Sequence, residues 1–273
     1  GNDLPFDSYQ CEQGRNFTNK VWNAYRLLDS WQSKDLPQPE SSKIAVEWFD
    51  VKFNETLVQI NNLFDKFKIS EALMAIYKLV WDDFCSWYLE IIKPGYKQPI
   101  DTKTLGQTKV FFEELLKLAQ PFTPFIAEEL WHLIRDRKDG EDIIVAEWPK
   151  VKKVDSSILK SFEGAVEVIT NIRNIRKKNN IANKVKMKLF VKTNGEIDKS
   201  MDSVISKMGN LSSLEYVTEK VTQANGFIAG GNEFYIPFGD AIDVDAEIAK
   251  LSEELDYTKG FLKSVHNKLK NEK

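Results

Sequence analysis

Apolar residues recur at helical spacing through most of this chain, and the clearest case lies near its start. From Glu12 to Trp31 the residues Phe17, Val21, Ala24, Leu28 and Trp31 share one face of a helix predicted over 8–31. The opposite face gathers Arg15, Asn19, Asn23 and Arg26, flanked by Asn16 and Lys20, with Trp22 beside Arg15. Asparagine is a weak helix former because its side chain competes for backbone hydrogen bonds. Three asparagines and two arginines therefore make a surface unlike the Glu/Lys face of an ordinary solvated helix. Amides and guanidinium groups can read base edges and hold phosphates, and an exposed indole can stack on an unpaired base. The plainer reading, a merely solvated face with Trp22 packed on a neighbour, stays open at this point.

The same period continues. Two prolines make Asp35–Glu40 a loop, and Ser41 or Ser42 is the expected cap of a helix reaching 68. Ile44, Trp48, Val51, Leu57, Ile60, Leu63 and Phe67 are its expected inward positions. A third helix, 70–92, carries Leu73, Ile76, Val80, Phe84, Trp87 and Ile91, and Pro94-Gly95 ends it. A fourth spans 102–120 with Phe111, Leu115 and Leu118 inward; Thr123 is the expected cap of a fifth that opens on Pro124. Long periodic helices with short loops predict a mainly α fold, an antiparallel helical bundle over 1–150. Ile143–Val145 is expected to be an extended hook that lays Trp148-Pro149 on the bundle.

After a charged linker at 151–155 the pattern shifts. A helix over 156–179 has Ile158, Phe162, Ala165, Ile169 and Ile172 as its stripe. Val185, Met187, Leu189 and Val191 then alternate with lysines, which predicts a half-buried strand. A turn at Thr193-Asn194-Gly195, a helix over 197–208, a strand over 214–217 and a hairpin about Gly230-Gly231 complete a small α+β domain over 151–240. From 241 to 273, Val244, Ile248, Leu251, Leu255, Leu262, Val265 and Leu269 trace a heptad seam, the expected start of a coiled coil.

Composition narrows the chemistry. With 273 residues, 42% of them hydrophobic, the chain can build a core and more than one domain. A net charge of −3 excludes a globally basic nucleic-acid binder, so RNA contact must be a local patch. Cys11 and Cys85 form no paired motif and read as free thiols of a reducing compartment. No stretch is apolar enough to span a bilayer, and no signal-peptide pattern opens the chain. The start at Gly1 rather than Met reads as a piece of something longer. His132 and His266 fall in helical segments without paired ligands, so no metal site is expected. Neither a catalytic constellation nor a glycine-rich phosphate loop is present. Between Arg173 and Lys188 stand seven basic residues and no acid. Arg173, Arg176, Lys177 and Lys178 are either a phosphate track or a helix end whose cations complement the dipole.

Several strings resemble a known family. Gly14-Arg15-Asn16-Phe17, then Asn19-Lys20-Val21-Trp22-Asn23-Ala24 and Arg26, resemble the first helix of the anticodon-binding domain of the valyl-tRNA synthetase family. Gly1 to Asp7 resembles the junction from that family's catalytic core. Trp81 to Glu90, Pro121 to Trp131 and Ala146-Glu147-Trp148-Pro149 resemble later strings in the same order. The resemblance implies a C-terminal, anticodon-binding region of a class I aminoacyl-tRNA synthetase, a cytoplasmic ligase of protein biosynthesis. Such a parent activates valine with ATP and magnesium, esterifies it to tRNA and edits in a separate domain. This chain would hold no catalytic residue, metal or cofactor. Its partners would be valine tRNA and the catalytic and editing domains of its own chain, with neither membrane nor DNA. The expected contacts are Arg15, Asn16, Asn19, Lys20, Trp22, Asn23 and Arg26, with the basic run as a secondary backbone contact. Related synthetases for isoleucine, leucine and methionine share the bundle but differ in the first-helix string. A helical scaffold for protein partners is the alternative of a different class.

Overall fold

The computed structural model describes residues 8–193, 198–237, 252–253, 255–263 and 265. The fold is mainly helical with a small sheet region. The chain divides into two compact units, Gly1–Val166 with Asp198–Met208, and Glu167–Ile197 with Gly209–Lys273.

In the first unit α1 runs Ser8–Asp29 and buries Phe17, Val21, Ala24 and Leu28, as the periodicity requires. Trp31 falls past the helix end and is only half-buried, a correction to the five-residue stripe. Strand β1, Ser33–Lys34, pairs in parallel with β2, Ile100–Asp101, a two-residue clip too short for any sequence signal. Helix α2 spans Glu40–Asp65 behind Pro39, with no side-chain cap. Ser41 and Ser42 are buried within its first turn rather than capping it. At its far end Lys68 N–H bonds to Leu63 O and Phe67 N–H to Phe64 O, a Schellman-type stop. Phe67 takes the left-handed position with φ 58° and is 87% exposed, not inward as the stripe predicted. The turn geometry overrides its hydrophobicity.

The third predicted helix is three joined pieces: α3 at Ile69–Lys78, a π-helical stretch at Leu79–Tyr88 and α4 at Leu89–Ile92. In the π stretch the turn widens, and the Ser86 hydroxyl donates to Trp81 O five residues back at 2.9 Å. Buried positions accordingly spread to Leu79, Val80, Phe84, Cys85 and Tyr88, while Trp87 is half-buried and Leu73 is exposed. Helix α5, Thr102–Ala119, starts from Asp101, whose carboxylate accepts the Thr104 N–H at 2.8 Å. Helix α6, Pro124–Ile134, starts after Thr123, but that hydroxyl donates back to Ala119 O instead of capping forward.

The core where these helices meet is aromatic. Phe49 touches Phe84, Tyr88 and Phe111 at ring-centroid distances of 5.0–5.3 Å. The Tyr88 hydroxyl is satisfied by Thr108 at 2.7 Å. Ile143–Val145 forms a 3-10 turn rather than an extended hook, with Ile143 buried and its two neighbours exposed. A 3-10 turn folds Ile143 inward while its amide bonds to Glu128. Trp148 does lie on α2, edge-on to Phe64 and donating to Asn61 at 3.0 Å. Helix α7 spans Ser157–Lys178, and its Phe162 stacks on Trp48 at 3.8 Å.

The second unit holds a four-stranded sheet in the order β4-β3-β6-β5. Its strands are β3 at Met187–Lys192, β4 at Leu211–Val217, β5 at Ala224–Ala229 and β6 at Asn232–Pro237. β3 runs parallel to β4 and antiparallel to β6; β5 and β6 form the predicted hairpin. Gly230 and Gly231 have φ 53° and 81°, the pair of positive values that a tight primed turn needs. Helix α8, Asp202–Met208, packs in the first unit against α2 and α4, with Val204 and Ile205 buried. Of the expected turn at 193–195, residues 194 and 195 lie outside the described residues, as does Ile197. Most of the heptad seam, Val244, Ile248, Leu251 and Leu269, lies outside them too; 255–263 are helical, with Leu255 and Leu262 exposed.

Candidate nucleic-acid interface

The site begins with the roll of α1 about its own axis. Phe17 stacks on Tyr77 at 5.4 Å, and Tyr77 on Trp81 at 5.4 Å. The Lys20 ammonium sits 5.2 Å over the Trp81 ring. This ladder, with the buried stripe, leaves the polar face outward. Arg15, Asn16, Asn19, Asn23 and Arg26 are exposed, and Trp22 is 36% exposed. Lys20 is half-buried at the margin of the face and already faces an aromatic ring, so it stands apart from the others. Trp22 contacts Tyr25 at 6.0 Å in a tilted pair, and the Tyr25 hydroxyl donates to Leu133 O on α6 at 3.5 Å. Burial raises the phenol's pKa, with a smaller contribution from Asp29. Chemically the face offers two guanidinium groups, three primary amides and one half-open indole on about three helical turns. Those are hydrogen-bond donors and acceptors for base edges, cations for phosphates and a plate for stacking.

The basic run of the second unit separates into two kinds of residue. Arg173, Lys177 and Lys178 are exposed on the last turns of α7. Arg176 is buried, a correction to its place in a phosphate track. Its Nη1 donates to Ala182 O at 3.2 Å and Val185 O at 2.8 Å, and its Nη2 to Gly209 O at 2.9 Å and Asn210 O at 3.2 Å. Burial pushes its guanidinium pKa below the ordinary arginine range. A guanidinium with both terminal nitrogens committed to main-chain carbonyls is a staple, not an RNA contact.

A profile of the anticodon-binding domain of tRNA ligase matches residues 46–191. The chain belongs to that family. The matched residues run from α2 into β3, and the resemblance to relatives extends over the whole chain. The chain is 49% identical to the valine–tRNA ligases of Christiangramia forsetii and Parabacteroides distasonis, over 100% of its own length and 31% of theirs. It is 30% identical to the valine–tRNA ligase of Enterococcus faecalis, over 100% of its length and 32% of the relative's. The chain thus spans about a third of the length of the curated relatives it matches, and it is homologous to their C-terminal part.

Elsewhere in the anticodon-binding domain, His132 departs from the expectation of a lone histidine. Its Nε2 lies 3.1 Å from Glu128 Oε1 and 3.1 Å from Asp142 Oδ1. The Glu128–His132 spacing of four on one helix was readable; the arrival of Asp142 from the following loop was not. His266 lies outside the described residues. Tyr25 and Trp81 contact Trp22 and Lys20 of this face, and neither belongs to the apolar stripes that the periodicity picks out. Among the described helices none is long and apolar enough to cross a membrane.

Proposed function

We propose that this chain grips the anticodon stem-loop of valine tRNA through the polar face of α1, as the tRNA-selecting part of a valine–tRNA ligase. The observation that carries the reading is the exposure of Arg15, Asn19, Trp22, Asn23 and Arg26 together, on a helix whose opposite stripe is fully packed. RNA sequence is read mainly from bases splayed out of single-stranded loops, stacked on flat side chains and hydrogen-bonded at their edges. Arg15, Asn16, Asn19, Asn23 and Arg26 take base edges and phosphates; Lys20 adds charge at the margin; Trp22 is the stacking plate. Arg173, Lys177 and Lys178 are a secondary phosphate contact.

On this reading the helices up to about residue 150 form the antiparallel bundle of a class I synthetase, followed by a small α+β domain. The heptad segment after 240 begins a coiled-coil arm toward the body of the tRNA. The parent enzyme, acting in the cytoplasm, activates valine with ATP and magnesium and esterifies it to the tRNA. The chain itself performs neither step and holds the tRNA so that its far end reaches the active site.

The test is tRNA affinity of Trp22→Ala and Asn23→Ala in the whole chain, with circular dichroism to confirm folding. A stacked base contributes about 1–3 kcal/mol, so loss of Trp22 weakens binding roughly five- to a hundredfold. Unchanged affinity in both variants would remove the assignment. Binding should also fall steeply with salt, as counterion release requires; a protein-docking scaffold would bind no tRNA at any salt.

A further inference from the structure

We propose that Glu128, His132 and Asp142 form a binding site for a single first-row divalent cation of the zinc or cobalt type, which clasps the loop after α6 onto that helix. The inference is independent of the anticodon reading. One potential ligand atom from each of Glu128, His132 and Asp142 lies within 4.8 Å of the other two. The imidazole nitrogen stands 3.1 Å from both carboxylate oxygens at once. A protonated Nε2 carries one hydrogen in the ring plane and serves one acceptor well, not two. A cation among the three accepts a lone pair from each. Tetrahedral zinc with bonds of about 2.0–2.1 Å places neighbouring ligands about 3.3 Å apart, near the separations seen.

The scaffold suits the purpose. Glu128 and His132 project from the same side of α6, one turn apart. Asp142 arrives on the segment fixed by Trp131, whose indole N–H donates to Glu141 O at 2.8 Å. Glu128 Oε1 also accepts the Ile143 N–H at 3.0 Å, the kind of second contact that orients a ligating carboxylate. One imidazole with two carboxylates favours zinc, cobalt or nickel over magnesium, which prefers an all-oxygen shell. All three side chains are part-exposed, so a cation can enter from solvent.

The experiment titrates the chelator-stripped whole chain with Zn²⁺ and Co²⁺ by calorimetry and visible absorption, in a Cys11→Ser background that removes the exposed thiol. The expected result is one ion per chain, with a Co²⁺ spectrum of a nitrogen/oxygen site. His132→Gln, Glu128→Gln and Asp142→Asn should each weaken binding by about tenfold or more, while circular dichroism without metal stays unchanged. Affinity should rise with pH, because the proton competes for Nε2. Saturating Zn²⁺ should raise the melting temperature of the parent chain and not of His132→Gln. Zn²⁺ affinity unchanged in His132→Gln, or absence of binding at millimolar Zn²⁺, overturns the proposal.

Discussion

Replacing Arg176 by alanine tests whether this residue is a structural staple or an RNA contact. The side chain reaches from α7 to the carbonyls of Ala182, Val185, Gly209 and Asn210, at 2.8–3.2 Å. These carbonyls precede β3 and β4, so one guanidinium fastens the entry to both strands. Hydrogen bonds to a charged group contribute about 1.5–3 kcal/mol each, but four that share one charge do not add. Desolvation of the guanidinium, the same effect that lowers its pKa, offsets part of the gain. The net loss in Arg176→Ala is about 3–5 kcal/mol, because truncation leaves several buried carbonyls without this donor at about 1–3 kcal/mol each, not fully additively. Against a domain stability of about 5–15 kcal/mol, that brings the second unit close to unfolding. Denaturant titration with hydrogen exchange read at the amides of β3 and β4 measures it. Arg176→Lys should lie between, since an ammonium supplies three donors from one point. Lys177→Ala, at an exposed neighbour, should leave stability within about 0.5 kcal/mol. If Arg176→Ala exchanged and unfolded like the parent while tRNA affinity collapsed, the staple argument would be wrong.

Two further outcomes follow from buried ionisable groups. Asp83, on the π stretch in a groove beside α2, has its pKa raised to about 6 by burial, with Lys52 opposing and Asp82 adding to the rise. A carboxyl with a folded pKa above its unfolded value contributes stability below about pH 4, which is lost as pH rises through about 6. Asp83→Asn should therefore remove that loss between pH 4 and 6 and leave the protein more stable than the parent at pH 7, as read by denaturant midpoints. Burial also pushes the Cys85 thiol up to about 12. At pH 8 a thiol reagent should modify exposed Cys11 alone, with Cys85 reacting only after denaturation; rapid labelling of both would contradict the burial.

Much of the architecture was legible because it rests on short-range patterns. The stripe of α1, the ends of α5, the alternation of β3 and the Gly230-Gly231 hairpin each express one local rule of period or turn chemistry. The misreadings share a cause. Phe67 fits the apolar period of α2 yet sits at its left-handed stop, where backbone hydrogen bonds decide. The π stretch keeps Phe84, Cys85 and Tyr88 inside at a spacing that a 3.6-residue period does not anticipate. The β1–β2 clip joins residues more than sixty positions apart.

By itself the sequence determined that the chain is mainly helical, that α1 has one packed and one polar side, and that the strings along it match a synthetase region. Periodicity and composition are properties of neighbouring residues, and a reader needs nothing else to see them. Only the tertiary structure decided which polar groups remain available. Two arginines look alike in sequence, yet Arg26 stays exposed and Arg176 is consumed by four carbonyls brought from distant positions. Lys20 is drawn over Trp81, and Asp142 is delivered to His132. Availability depends on what the folded chain places within hydrogen-bonding reach, and that is set by packing across long sequence separations.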